Sequence, residues 1–118
     1  MVLVDTSVWV AHLRHGAMGL EALLNKGRVL CHPFIVGELA CGNLQNRSEI
    51  LVLLKALPQG ILAEHEEVMQ FIENYRVMGK GLGYIDMHLL ASALLTKVPL
   101  WTLDQKLNEV GVKLELAY

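Results

Sequence analysis

The stretch Met1-Val-Leu-Val-Asp-Thr-Ser-Val-Trp9 decides how the rest of the chain is read. An unbroken apolar run enters Asp5, and the hydroxyls of Thr6 and Ser7 follow at once. Such a run predicts a short strand buried on both faces, as in parallel sheets covered by helices. Thr6 or Ser7 is then expected to cap a helix starting near Val8. In open parallel sheets ligands gather outside the carboxyl ends of the strands, so Asp5 is expected at that edge. The question for the remaining residues is what else arrives there.

Outward from this stretch, strands and helices alternate. Val8 to about His15 reads as a short helix with Trp9, Val10 and Leu13 as its apolar stripe, ended by Gly16. A second helix is expected from about Ala17 to Lys26, and Val29-Leu-Cys31 as a second strand. Pro33 stands at the first position of a helix running to about Cys41. Another helix covers Asn46 to Leu57, before Pro58-Gln-Gly60 breaks the pattern and Ile61-Leu62 forms a weak third strand. Glu64 to Val77 has clear helical spacing, and Gly79-Lys-Gly-Leu-Gly83 is a glycine-rich loop. A strongly apolar helix follows from about Ile85 to Lys97, then a fourth strand over Pro99-Leu-Trp-Thr102. Asp104 to Val110 is a last short helix, and Val112 to Leu116 a candidate fifth strand. This order predicts an α/β sandwich, a mostly parallel sheet with right-handed crossovers.

The chain has 118 residues, which suits one domain spanning 1–118. A domain of this size buries roughly 65% of the surface its unfolded chain exposes. An apolar share of 53% and a mean hydropathy of +0.40 imply a large core, or a face covered by a partner or a second copy. Apolar stretches are broken by charge before the ~18 residues a membrane span needs, and no basic segment precedes the first of them. A soluble, cytoplasmic protein is expected. Cys31 and Cys41 lack CxxC spacing and read as small apolar residues in a reducing compartment. A net charge of −2 excludes gripping nucleic acid by bulk positive field alone. It leaves a nucleic-acid substrate open if bound cations supply the missing charge.

The three aspartates carry the main signal. Asp5 follows the first strand, Asp104 follows the fourth, and Asp86 stands at the start of the most apolar helix. A fourth acid, Glu38, sits in Phe34-Ile-Val-Gly-Glu-Leu-Ala40 among apolar or small neighbours, where a carboxylate needs a partner. Each has a structural alternative. Asp86 and Asp104 suit helix N-caps, Asp5 suits a turn leaving a strand, and Glu38 suits a salt bridge. Helix starts and strand ends share one edge of an α/β sheet, however. Two like charges 4 Å apart repel by about 4 kcal/mol at an effective dielectric of 20. A cluster of four is reasonable when a hard divalent cation occupies it, and oxygen-only ligands favour Mg²⁺ or Mn²⁺ over zinc.

Val4-Asp-Thr-Ser-Val-Trp9, Val36-Gly-Glu-Leu39, Tyr84-Ile-Asp-Met-His-Leu-Leu-Ala91 and Leu100-Trp-Thr-Leu-Asp104 resemble the four acidic motifs of PIN-domain ribonucleases. The nearest likeness is to the VapC toxins of bacterial toxin–antitoxin systems, over nearly the whole chain and in order. The resemblance implies a three-layer sandwich with a 4–5-stranded sheet and a metal-dependent endoribonuclease, commonly a homodimer, inhibited by a VapB-type antitoxin. It implies Asp5, Glu38, Asp86 and Asp104 as the acidic quartet. Asp5, Asp86 and Asp104 are the expected Mg²⁺ ligands, while Glu38 binds a second cation or orients the attacking water. Thr6 and Thr102 correspond to hydroxyls that orient the acids.

Other residues carry weaker signals. The glycine loop lacks the pattern of a phosphate loop and reads as a link to Asp86, with Arg76 and Lys80 as candidate RNA contacts. Arg47 is a third candidate, or a cation closing the site's edge, or equally a surface cation at a helix N-terminus. His12 and His15 lie three apart on one helix and could share a metal, but no third ligand is spaced to join them, so surface or interface positions are expected. Trp9, Trp101 and Tyr75 suit a core or an interface. Rival functions are a DNA nuclease of the same fold and a non-catalytic partner-binding module. A phosphatase or phospho-receiver fits poorly, since Ser7 stands where the first wants an acid.

Overall fold

The computed structural model describes residues 1–16 and 19–118. Val2–Val4 form β1, buried throughout, as an apolar run without alternation requires. β1 is the centre of a three-stranded sheet ordered β2-β1-β3, with β2 at Val29–Leu30 and β3 at Leu100–Trp101. Both pairings are parallel: Leu3 faces Leu30 on one side and Leu100 on the other. Among the described residues seven helices accompany it: α1 (Thr6–His15), α2 (Leu20–Asn25), α3 (Pro33–Ala40), α4 (Arg47–Ala56), α5 (His65–Tyr75), α6 (Tyr84–Thr96) and α7 (Gln105–Lys113). The expected start of the second helix at Ala17 lies outside the described residues.

The α/β architecture agrees with the sequence, but the strand count is corrected. Among the described residues the two outer strands shrink to single parallel bridges, Cys31 with Gln59 and Leu100 with Ala117. Among the described residues Ile61 and Leu62 join no strand and are each 50% exposed; the bridge falls two residues earlier, at Gln59. Val112 belongs to α7, which continues through Gly111 to Lys113 before Glu115, with a left-handed φ of 58°, turns the chain. Short apolar pairs at a sheet's margin imitate strands without belonging to them.

α6 supplies the middle of the core. Its residues Met87 to Ala93 are all buried, and a helix that is apolar all round sits inside a protein. It packs against α5 and β3. Its Leu89 and Leu90 share one core with Leu3, Leu20, Ile35 and Leu100, all fully buried. His32 joins them. Its Nδ1 accepts the Phe34 N–H at 3.0 Å and caps α3. The ring proton is then on Nε2, which is buried without a partner among the described residues. Burial first, and His88 second, push the His32 pKa down to about 4.

Parallel strands bring their carboxyl ends to one edge. Asp5 follows β1, His32 follows β2 and Thr102 follows β3, and α1, α3 and α7 start from there. The Asp5 N–H donates to the Trp101 carbonyl at 2.9 Å, so the ladder continues one residue beyond β1. That bond ties the Asp5 backbone directly to β3.

Candidate active site

Asp5 is 7% exposed and holds the N-cap position of α1, accepting the Val8 and Trp9 N–H groups with its backbone carbonyl. The cap expected from Thr6 or Ser7 is thus corrected, because both lie inside α1 and their hydroxyls turn to acids. Thr102 Oγ1 and Ser7 Oγ each donate to Asp5 Oδ2, both at 2.7 Å. Each hydroxyl has one proton, so both are committed to that one oxygen. Both also accept: Asp104 N–H donates to Thr102 Oγ1 at 3.0 Å, and Leu103 N–H to Ser7 Oγ at 2.9 Å. Two relays therefore run from the backbone after β3, through a hydroxyl, to Asp5 Oδ2. Oδ1 takes no part in them.

Ser7 has no place among the hydroxyls expected from sequence. The signal was available: a hydroxyl two residues after an aspartate readily bonds it locally. Its second partner, in the turn after β3, was visible only in three dimensions.

Asp104 and Asp86 both act as helix-start residues. Asp104 caps α7 by accepting the Leu107 N–H at 3.0 Å with Oδ1. Asp86 Oδ2 accepts the Gly83 N–H at 3.0 Å. The N-cap alternative is therefore realised at Asp104, whereas Asp86 stands at the third position of α6 and bonds back to the N–H of its N-cap, Gly83; each uses one carboxylate oxygen and leaves the other. Asp86 is half-buried, and its pKa is raised by that burial and further by the charges of Asp5 and Asp104. The three aspartates thus share one electrostatic neighbourhood.

Glu38 differs from its expected setting. α3 turns Ile35, Val36 and Leu39 inward, which leaves Glu38 exposed rather than amid apolar side chains. Its Oε1 accepts a hydrogen bond from Thr6 Oγ1 at 2.8 Å. Thr6 therefore holds Glu38, while Ser7 and Thr102 hold Asp5.

The candidate cations scatter. Arg47 donates from Nε and Nη2 to the Ala40 carbonyl at 3.2 and 2.9 Å, which closes the end of α3. Arg76 is the exposed C-cap of α5, and Lys80 is exposed in the glycine loop. Lys106 stands nearer that loop than its sequence position suggests. A Cβ on Gly81, which adopts φ +78°, would meet the Lys106 Nζ at 3.0 Å.

Among the described residues the hydrogen-bond partners of the four acids are hydroxyls and backbone N–H groups, and the acids themselves offer oxygen donors. That donor set suits a hard divalent cation. With Asp86 and Asp104 turned onto their own helices, no three His, Cys, Asp or Glu side chains among the described residues close around one point. The chemistry of the donors fits a metal of that kind.

The model of the PIN domain family matches residues 2–113. The chain belongs to the PIN-domain family. Ribonuclease VapC32 of Mycobacterium tuberculosis, in the CDC 1551 and H37Rv strains, is 42% identical over 119 residues, covering 97% of this chain and 96% of the relative. In this PIN domain no helix among the described residues is long and apolar enough to cross a membrane.

Proposed function

We propose that this PIN domain is a metal-dependent endoribonuclease, the VapC-type toxin of a toxin–antitoxin pair. The carrying observation is Asp5: two hydroxyl relays spend themselves on one of its oxygens, beside Asp86 and Asp104. The ribonuclease name of a relative at 42% identity supports the choice of RNA.

Asp5, Asp86 and Asp104 are the residues that would hold the metal in this reading, and Glu38 would hold a second cation or orient the attacking water. A divalent cation, Mg²⁺ with Mn²⁺ as a substitute, supplies charge against the phosphodiester and acidifies water. Thr102 and Ser7 fix the direction of Asp5, and Thr6 fixes that of Glu38. Positioning of this kind typically changes metal affinity or activity by about 10–100-fold. Hydrolysis leaves 5′-phosphate and 3′-hydroxyl ends. Arg76, Lys80 and Lys106 bind backbone phosphates of the RNA, while Arg47 is committed to Ala40.

An apolar groove of about 270 Å³ between α1, α2 and α4 includes Trp9, Leu13, Ile50 and Leu53. We assign it to the VapB-like antitoxin or to a second copy of the chain; fully buried Leu20, expected on that face, is not available. This activity belongs in the cytoplasm, with its RNA. Purified protein freed of antitoxin is the test: it should cut single-stranded RNA with Mg²⁺ or Mn²⁺ and stop with a chelator. Preference for flap DNA over RNA would favour the DNA-nuclease rival, and absence of any metal-linked stabilisation would favour a binding module.

A further inference from the structure

A second cavity, of about 540 Å³, reaches the site at Glu38, and its polar lining is Thr6, Glu38, Arg14, Asn43, Gln45 and Asn46. One wall is the Thr6–Glu38 pair itself, bonded at 2.8 Å, so the cavity is continuous with the candidate site. Its size falls within the range of small-ligand sites, about 300–1,000 Å³. Val10, Leu44 and Ile50 supply apolar surface between the polar groups.

The chemistry of this lining is unlike that of the groove beside Trp9. Three neutral carboxamides stand together, each offering two donors and an acceptor. All three residues are exposed. Hydrogen bonds nearby go elsewhere, Thr6 to Glu38 and Arg47 to the Ala40 carbonyl, which leaves the carboxamides uncommitted among the described residues. The segment carrying them is nevertheless held. Arg47, the first residue of α4, grips the last residue of α3 from across the connection. Asn46 adds a left-handed turn at φ 52°. Arg14 is the one cation of the lining.

Neutral amides with mixed donors and acceptors suit a nucleobase edge, not a phosphate or a purely apolar side chain. Unstacked bases of single-stranded RNA are read on such edges, against apolar or aromatic faces. We propose that this cavity receives a base next to the scissile phosphate, and that Asn43, Gln45 and Asn46 read its edge and set the sequence preference. Arg14 meets the phosphate of the adjoining nucleotide. The proposal rests on the ribonuclease reading above and adds a specificity site to it.

The test starts from randomised single-stranded RNA cut by the parent protein with Mg²⁺, with sequencing of the new ends. The parent should show a base preference beside the cut. In the N43A/Q45A double variant, the ratio of kcat/KM between best and worst base at that position should fall by about tenfold, the scale of losing one or two recognition hydrogen bonds. Asn46→Gly removes the third amide while tolerating the positive φ. Thermal melting identifies a folding defect, and D5N protein supplies a readout without cleavage. Binding of the preferred RNA over a single-base variant, followed by fluorescence anisotropy, should lose its discrimination when N43A/Q45A is added to D5N. A parent that cuts RNA without base preference, or a double variant that keeps the preference in both assays, overturns the proposal and leaves the ribonuclease reading intact. A parent that cuts no RNA removes the reading beneath it as well. If the double variant instead weakens antitoxin binding and keeps RNA discrimination, the cavity belongs to a protein partner, and the proposal is wrong.

Discussion

Asp5 and Glu38 each accept hydroxyl hydrogen bonds, yet their surroundings are opposite. Asp5 is 7% exposed, tied through its own N–H to β3, and aimed by two hydroxyls that backbone N–H groups anchor in turn. Glu38 stands exposed on α3 and is held by Thr6 Oγ1. The strand half of the site is built into the sheet, while the α3 half is placed by a helix whose start depends on one buried histidine. A ligand that must not move belongs in the first kind of setting. A group that handles water or a second cation tolerates the second.

The largest expected effect breaks the strand half. Asp5→Asn keeps the shape and still accepts from Thr102 and Ser7, but loses the charge. RNA cleavage should fall by about 10³-fold, the scale of removing a key electrostatic group, with folding retained. Initial rates with Mg²⁺ decide it, and a variant within tenfold of the parent would remove Asp5 from the chemistry.

The next acts on the α3 half through pH. The His32 pKa, held down to about 4 in the fold, is about 6.5 in the unfolded chain. The folded state therefore favours the neutral ring, and its full stability is present above about pH 6.5. Protonation of the unfolded chain removes about 3 kcal/mol progressively as pH falls from 6.5 to 4, and little more below that. Urea midpoints across that range should show this slope in the parent. The slope should shrink in His32→Asn, which keeps a capping acceptor; equal slopes would refute the assignment.

Thr102→Val sharpens the comparison from inside the strand half. It strands the Asp104 N–H and removes one donor from Asp5, so cleavage should fall about 10–100-fold and stability by about 1–3 kcal/mol. Glu38→Gln should be mildest. A loss of about tenfold in rate is expected, the low end for a group that moves a proton or orients water. Stability should change by less than about 0.5 kcal/mol, as for an exposed side chain. If denaturant melts showed Glu38→Gln to be as destabilising as Thr102→Val, the contrast between the halves would be lost.

Much of this was legible in residue order. The apolar run before Asp5 identified a buried central strand, and strand–helix alternation identified a parallel sheet, because burial on both faces leaves a distinctive pattern. The outer strands were overcounted, since Ile61-Leu62 and Val112 are apolar without being paired. Glu38 was misjudged for a related reason. Apolar sequence neighbours on a helix point to other faces and do not surround it.

What the sequence by itself determined, then, is local: where strands and helices lie, which acids follow strand ends or open helices, and to which family those motifs belong. Caps and periodicities act over a few residues and can be read there. Only the tertiary structure decided that Ser7 and Thr102 meet on the same oxygen of Asp5, that Thr6 serves Glu38 instead, and that Arg47 holds Ala40. Those choices depend on how parallel strands and their helices bring distant segments to one edge, and a hydroxyl with one proton bonds whichever acceptor that packing brings within reach.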